Sequence, residues 1–434
     1  MCLTTTSIRI RVYQSLPVHN LNTRKSFPTI QAAIDDPDTK DGHIIVVDPG
    51  VYIENVKTDE KALTIKSASG NPSDTIIRAK YPNDHVFEAL EHTTLNGFTV
   101  DGATSKEKAG ICVYRKCNIF NNIIRNNYYG VYLYYSEDNV ITENKINRNV
   151  YGIYLDGSKN NTISRNIISD NDRCGIFIGV SYSRNNKVAG NTMVGNGISL
   201  GGDWLEYFIH EIDSSNTVNG KPVYYWLNKD GGKIPEDAGQ VILVNCKNII
   251  VENQKISNVP DGIMVVFSSN ITISNNDISD VRNGIFLYNV HSCKVLKNSI
   301  RNSNYNGIYL LFSSNCVISR NNVISNGEYG ISAFGADNNR IYLNNFIDNK
   351  KGSIRFLESQ NNIFWSLKEI SYIYNGKKYT NYLGNYRSGS KWDDTNEDGV
   401  GEVDSYNMWR ETERYPLIKP FENYLVEKND EFAP

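Results

Sequence analysis

The residues best suited to chemistry stand in one decapeptide near the C-terminus, DDTNEDGVGE at 393–402. Asp394, Asn396 and Asp398 occupy alternate positions, Gly399 follows at a turn, and Val400 offers a carbonyl, which is the first half of a calcium loop. Glu402 is placed to act as the ninth-position ligand, but position twelve is Ser405, so the usual bidentate Glu is missing. Hard oxygen donors of this kind suit calcium rather than copper. An acidic surface turn without an ion has the same sequence.

A second group, Asp156, Asp203, Glu206 and His210, carries the residue types of acid–base chemistry. Cleavage of a glycosidic bond needs two carboxyls about 5–10 Å apart. A lyase or epimerase needs a base and a group that neutralises a uronate. Acidic residues are mostly exposed and solubilising, and no nucleophile elbow, phosphate loop or zinc motif is present. Copper would call for clustered His, Cys or Met, whereas His19, His43, His85, His92, His210 and His291 are scattered.

The elements that hold these residues follow from a repeat. The pattern G-[IV]-x-[ILV] recurs at Gly110, Gly130, Gly152, Gly175 and Gly197, then at Gly262, Gly284, Gly307 and Gly330, mostly in steps of 22 or 23 residues. Self-similarity at a fixed period marks a solenoid. After most of these glycines comes I-x-x-N, its Asn about fourteen residues on, with an apolar column that includes Ile141, Ile163, Ile250 and Ile273. Its Asn column runs Asn122, Asn144, Asn166, Asn191, Asn253, Asn276, Asn298, Asn321 and Asn344, and five residues on lies a second, Asn127, Asn149, Asn171, Asn196, Asn258, Asn326 and Asn349. The runs between are too short and too β-branched for helices.

Three short strands and three turns in about 22 residues make the coil of a single-stranded parallel β-helix, right-handed by the crossover rule. Stacked coils explain why a chain keeps Asn beside core residues: each amide donates to the coil on one side and accepts from the other, as in an Asn ladder. Cys117, Cys293 and Cys316 fall in the column otherwise held by Asn139, Asn161, Asn186, Asn248 and Asn339, which makes them core residues and not ligands. A leucine-rich repeat fits less well, because Ile, Val and Asn dominate and no helix fits between the strands.

Side chains alternate along a strand, so positions one and three after each Gly point inward and positions two and four outward. The outward columns are aromatic: Tyr132, Tyr154 and Phe177, then Phe286 and Tyr309, with Tyr114, Tyr134, Tyr288 and Phe334 beside them. Rings on a flat sheet suit the apolar faces of sugars, with Tyr hydroxyls for hydrogen bonds. Rings that only stack on each other, or lie under a loop, would give the same columns. Asp156, Asp203, Glu206 and His210 fall next to these columns.

Residues 1–25 precede the coils, the β-helix is expected over 26–365, and 366–434 form a C-terminal cap that carries the calcium motif. A capping helix is expected over 26–36. Roughly thirteen coils would make a rod ~60 Å long. The interval from Gly197 to Gly239 is 42 residues, and its excess is expected as loops at about 203–212 and 228–237. Hydrophobic residues make up 40% and charged residues 21%, as in a folded protein. A net charge of −3 without a basic run argues against nucleic acid. No apolar run approaches the ~18 residues of a membrane span, and the start lacks a signal-peptide stretch. The expectation is a cytoplasmic protein or a start that omits an export segment.

With FPTIQAAIDD, VVDPGVYIENV, IDSSNTVNGKPVYYW (212–226) and NYLGNYRSGSKWDDTNEDGVGEV…ERYPLIKP (381–420), the chain resembles the NosD-type, or carbohydrate-binding and sugar-hydrolase (CASH), β-helix proteins from about Phe27 to Pro420. The resemblance implies an exported right-handed β-helix. The family includes an accessory protein of copper-site maturation, and its β-helix relatives include polysaccharide lyases, hydrolases and epimerases. Arg387-Ser388 replaces the family's usual Trp-Ser pair after GNY. The expected function is a carbohydrate-binding or surface-scaffold β-helix with a polysaccharide or cell-surface glycan as partner. A polysaccharide-modifying enzyme is the alternative and a copper-maturation accessory the third reading. Calcium is the one cofactor the residues suggest; copper comes only with the family's name.

Overall fold

A computed structural model describes residues 16–179, 182–402 and 414–426. One coil shows how the repeat folds. Tyr151–Asp156, Thr162–Ser164 and Ile167–Ser169 are its three strands. They pair in parallel with the next coil at Ile153↔Ile176, Ile163↔Val188 and Ile168↔Met193. Ile153, Leu155, Ile163 and Ile168 are wholly buried, so alternation alone assembles the core. The corners turn through left-handed residues such as Asn160 and Arg165 (φ 57° and 54°). About fourteen such turns stack into a parallel β-solenoid.

The Asn columns close into ladders. Asn122, Asn144, Asn166 and Asn191 each donate Nδ2 to the Oδ1 of the next, ending on Asn216, at 2.9–3.1 Å. Asn276, Asn298, Asn321 and Asn344 do the same as far as Asn385, each at 2.9 Å. Each Oδ1 also accepts a backbone N–H at a corner, as Asn298 does from Asn276 at 3.0 Å. That satisfies a buried donor that the sheets leave unpaired.

Three expected rungs are displaced. The spacing rule places Asn248, Asn253 and Asn258 in the ladders, yet all three take positive φ at exposed corners. Ile249, Gln254 and Val259 fill the inward places. The run Ile249-Ile250-Val251 permits two alternations, and pairing of Val251 with Ile273 selects the one that turns Ile250 to solvent.

The 42-residue interval is the main departure. One sheet of fifteen strands runs the length of the protein, but it changes direction inside. Thr217–Val218 is parallel to the strand before it and antiparallel to Lys221–Leu227, which is in turn parallel to Gln240–Val244. Asn219 and Gly220 (φ 51° and 79°) make the turn, an Asn-Gly hairpin. The protein is therefore two stacks of coils joined antiparallel, in place of one continuous rod.

Neither expected loop survives unchanged. In 203–212, Leu205–Phe208 is a 3-10 turn that buries Phe208 against Phe267 and Tyr288 of the second stack, at ring distances of 5.7 and 5.9 Å. Glu211–Ile212 returns to the first stack as a coil strand. In 228–237, Asp230–Lys233 is also a coil strand, parallel to Lys247–Glu252. The extra length is a second coil.

At the front, helix Ile30–Asp35 buries Ile30, Ala33 and Ile34, with Thr29 accepting from Ala32 N at its start. At the far end, Ile370–Tyr374 pairs antiparallel with Lys377–Asn381 and Leu425–Val426. Tyr372, Tyr374, Leu383, Val400, Leu417 and Tyr424 form a small separate core there.

Candidate functional site

The outward columns are real but divided. Tyr132, Tyr154 and Phe177 lie in register on the first stack, followed by Ser199. Phe286, Tyr309, Ser332 and Arg355 do so on the second. Tyr154 stacks on Phe177 at 4.7 Å and Phe286 on Tyr309 at 5.5 Å. Tyr129, nearly buried, wedges between Tyr132 and Tyr154 at 4.7 and 4.5 Å. Tyr134 is 42% exposed and meets Tyr135 edge-on. Tyr114 and Phe334 are half-buried beside them. Tyr288 lies beneath the 205–208 turn, 8% exposed, with its hydroxyl donating to the Asp203 carbonyl at 2.9 Å. It packs the turn and presents no ring to a ligand.

The antiparallel join creates what the columns alone do not. The outward face of the first stack and that of the second border a cleft of about 680 Å³. Tyr151 and Arg173 line it from one stack, and Arg282, Tyr305, Tyr309 and Arg355 from the other. Tyr151 lies 5.1 Å from Tyr154, so the first ring column runs into the cleft edge. Of the nine rings read from sequence in the outward columns, only Tyr309 lines it.

The base of the cleft is braced. The Arg282 guanidinium donates to Asp261 Oδ2 at 2.6 Å and to Ser199 Oγ at 3.0 Å, tying the stacks together. Asn283 donates to the other Asp261 oxygen at 2.9 Å. The Gln240 amide accepts from Ile198 N and donates to the Ile198 and Asp261 carbonyls. Arg173 donates to the Tyr151 hydroxyl at 3.0 Å and lies over its ring. Arg355 lies 5.4 Å from the centre of the Tyr329 ring. Glu328, also lining the cleft, is taken up by Lys351 at 2.6 Å.

The four acid–base candidates do not converge. Asp156 accepts from Tyr132 Oη at 3.3 Å, and burial pushes its carboxyl above the usual carboxylate range. Asp203 and Glu206 are exposed. His210 is 4% exposed and ends a third ladder: Asn139 donates to Asn161, Asn161 to Asn186, and Asn186 N to His210 Nδ1 at 3.4 Å. Burial pulls its pKa down to about 4. Among the described residues no hydrogen bond or ion pair joins any two of the four.

In the C-terminal motif, Gly399 N donates to Asp394 Oδ2, Asp398 N to Asn396 Oδ1 and Val400 N to Asp398 Oδ1. Asp394 Oδ1 is buried without a partner among the described residues. Both Glu402 oxygens accept from the Thr395 hydroxyl at 2.6 Å. Ser405 lies outside the described residues.

Copper finds no such setting. Cys112, Cys117, Cys174, Cys246, Cys293 and Cys316 are free and buried. Burial pushes Cys112 and Cys174 up to about 12 and Cys117 to about 11, so these three hold their protons at neutral pH. Among the described residues no three His, Cys, Asp or Glu side chains are grouped to hold a metal ion.

Comparison with known proteins places the chain. A curated cell surface glycoprotein of Methanothermus fervidus is 39% identical over 120 residues. The match takes in 27% of this chain and 19% of the relative, so the chain spans about a fifth of that relative's length. Among solved structures, the mannuronan C-5 epimerase AlgE4 A-module of Azotobacter vinelandii is 17% identical, with a TM-score of 0.38, covering 78% of this chain and 93% of that one. The tailspike protein of E. coli bacteriophage HK620, solved with a hexasaccharide, is 12% identical, with a TM-score of 0.38, covering 81% and 78%. The family described as periplasmic copper-binding protein (NosD) matches residues 39–203 and 209–391. Matched over most of its length, this chain belongs to the NosD family.

Proposed function

We propose that this protein is an exported or cell-surface β-helix that binds carbohydrate in the cleft between its two stacks. One observation carries the reading: rings from both stacks, Tyr151 on one and Tyr305 and Tyr309 on the other, border a cleft of about 680 Å³ with amide and guanidinium side chains between them. Rings supply flat apolar surface for a sugar face and fixed polar groups set its orientation. The volume suits a few sugar units. The name of the curated relative, a cell surface glycoprotein, supports the location.

A glycan array on the intact protein, repeated with Tyr151→Ala and Tyr309→Ala, tests the site. Each loss is expected to weaken a bound glycan by about 1 kcal/mol or more. A hit retained unchanged by both variants would place binding elsewhere. The enzymatic alternative draws on Asp172 and Glu328, which line the same cleft. New reducing ends or unsaturated products from uronate-containing and neutral polysaccharides would establish it. Calcium at Asp394, Asn396, Asp398, Val400 and Glu402 is a second proposal, supported by the buried Asp394 oxygen that no donor among the described residues reaches; the carboxylates of Asp394, Asp398 and Glu402 are not gathered as they stand, so the ion would have to draw Glu402 from Thr395.

A further inference from the structure

Charge in the cleft narrows the ligand. Five charged side chains line it: Arg173, Arg282, Arg355, Asp172 and Glu328. Asp261 neutralises Arg282 and Lys351 neutralises Glu328. Asp172 is the remaining acid, and Arg173 and Arg355 are the remaining bases; among the described residues neither has a carboxylate partner. Both are held by aromatic rings instead, Arg173 over Tyr151 and Arg355 over Tyr329. A ring steadies a guanidinium without using its N–H donors. Tyr151 takes only one of the five donors of Arg173. Such a planar, pre-placed fork matches a carboxylate through two parallel hydrogen bonds.

The two free guanidiniums stand on different stacks, and Tyr305 and Tyr309 lie in the same cleft. A neutral sugar would use the rings and leave both arginines solvated. A sugar carrying a carboxylate would use rings and arginines together. We infer that the cleft takes an acidic saccharide, a chain of uronate units whose carboxylates meet Arg173 and Arg355 while its ring faces meet Tyr151 and Tyr309. This rests on the carbohydrate-binding reading and adds the ligand's charge to it.

The test compares hexagalacturonate with its fully methyl-esterified form, which keeps the sugar and removes the charge. Titration calorimetry on the full chain is expected to show esterification weakening binding by at least about tenfold. Arg355→Ala and Arg173→Ala should each weaken the acidic oligomer several-fold more than the ester. Arg355→Lys should retain part of the effect, because it keeps the charge and loses the fork. Binding of the acid should also weaken as NaCl rises from about 50 mM to about 500 mM. Melting curves of each variant check that the coils are intact.

Equal affinity for acid and ester, with Tyr309→Ala weakening both, overturns the charge assignment and leaves carbohydrate binding standing. Loss of both oligomers in Arg355→Ala likewise overturns it, since the arginine would then shape the cleft and not read charge. Failure of the wild type to bind either oligomer overturns the inference, and a silent glycan array alongside it removes the carbohydrate reading as well.

Discussion

Replacing Asn298 with Leu removes one rung from the middle of a ladder, and the consequences can be counted. Asn298 is 1% exposed. Its Oδ1 accepts from Asn276 N at 3.0 Å and Asn276 Nδ2 at 2.9 Å, and its Nδ2 donates to Asn321 Oδ1 at 2.9 Å and Ile273 O at 3.0 Å. Four hydrogen bonds disappear, but their losses are unequal. Asn276 Nδ2 keeps the Val251 carbonyl and Asn321 Oδ1 keeps the Asn298 backbone N–H. The Asn276 N–H keeps nothing, and a buried donor without an acceptor costs about 1–3 kcal/mol. Part of the remaining loss is offset by burial of a leucine side chain. The net is about 3 kcal/mol of destabilisation. An unfolding entropy of about 2.1 cal/mol/K per residue gives about 0.9 kcal/mol/K for a chain of this length, so the midpoint should fall about 3 °C. If the second stack melts as a separate unit, the drop in its own transition roughly doubles. Differential scanning calorimetry at neutral pH reads both. An unchanged midpoint would mean that the amide column adds nothing to stability, and the physical account of the repeat would fail.

Three further outcomes follow from the same structure. His210 is neutral in the fold, with its pKa near 4 against an ordinary value of 6.5. Its contribution is present above pH 6.5 and is lost as pH falls towards 4, reaching about 3 kcal/mol; His210→Asn should melt progressively higher than the wild type over that window, and parallel pH profiles would refute this. The six described cysteines are buried, so a Cys2→Ser variant should not react with Ellman's reagent until denatured, and rapid colour from the native protein would contradict the packing. Chelation by EDTA should lower the melting midpoint and calcium restore it, with Asp394→Ala insensitive to both; a wild type indifferent to calcium would rule the ion out.

Much of the fold was legible in the sequence, for a reason visible in single residues. Ile163 and Val188 face inward because each belongs to a three-residue strand whose alternation is fixed locally. Asn144 and Asn166 meet because equal spacing puts them one coil apart. Where the local signal is ambiguous the reading slips, as at Ile250 and Asn253, since three apolar residues in a row leave the phase to the neighbouring coil. The glycine interval of 42 residues was legible as irregular, but not as a reversal. The Asn219-Gly220 pair that turns the chain back was present in the sequence, and its weight becomes plain only once Lys221–Leu227 is seen to pair with Gln240–Val244.

The candidate site divides along the same line. Sequence alone determined which side chains point outward and that many of them are rings, because strand alternation needs no information beyond the repeat. It also placed Cys117, Cys293 and Cys316 in a core column, where they are buried. Only the tertiary structure decided that Tyr288 is covered, that His210 ends a ladder, and that Arg173 and Arg355, 182 positions apart in the numbering, line one cleft. The physical reason is that a repeat specifies contacts between neighbouring coils, whereas the angle at which two stacks meet is set by a few contacts that do not repeat, such as Arg282 with Ser199 and Gln240 with Ile198.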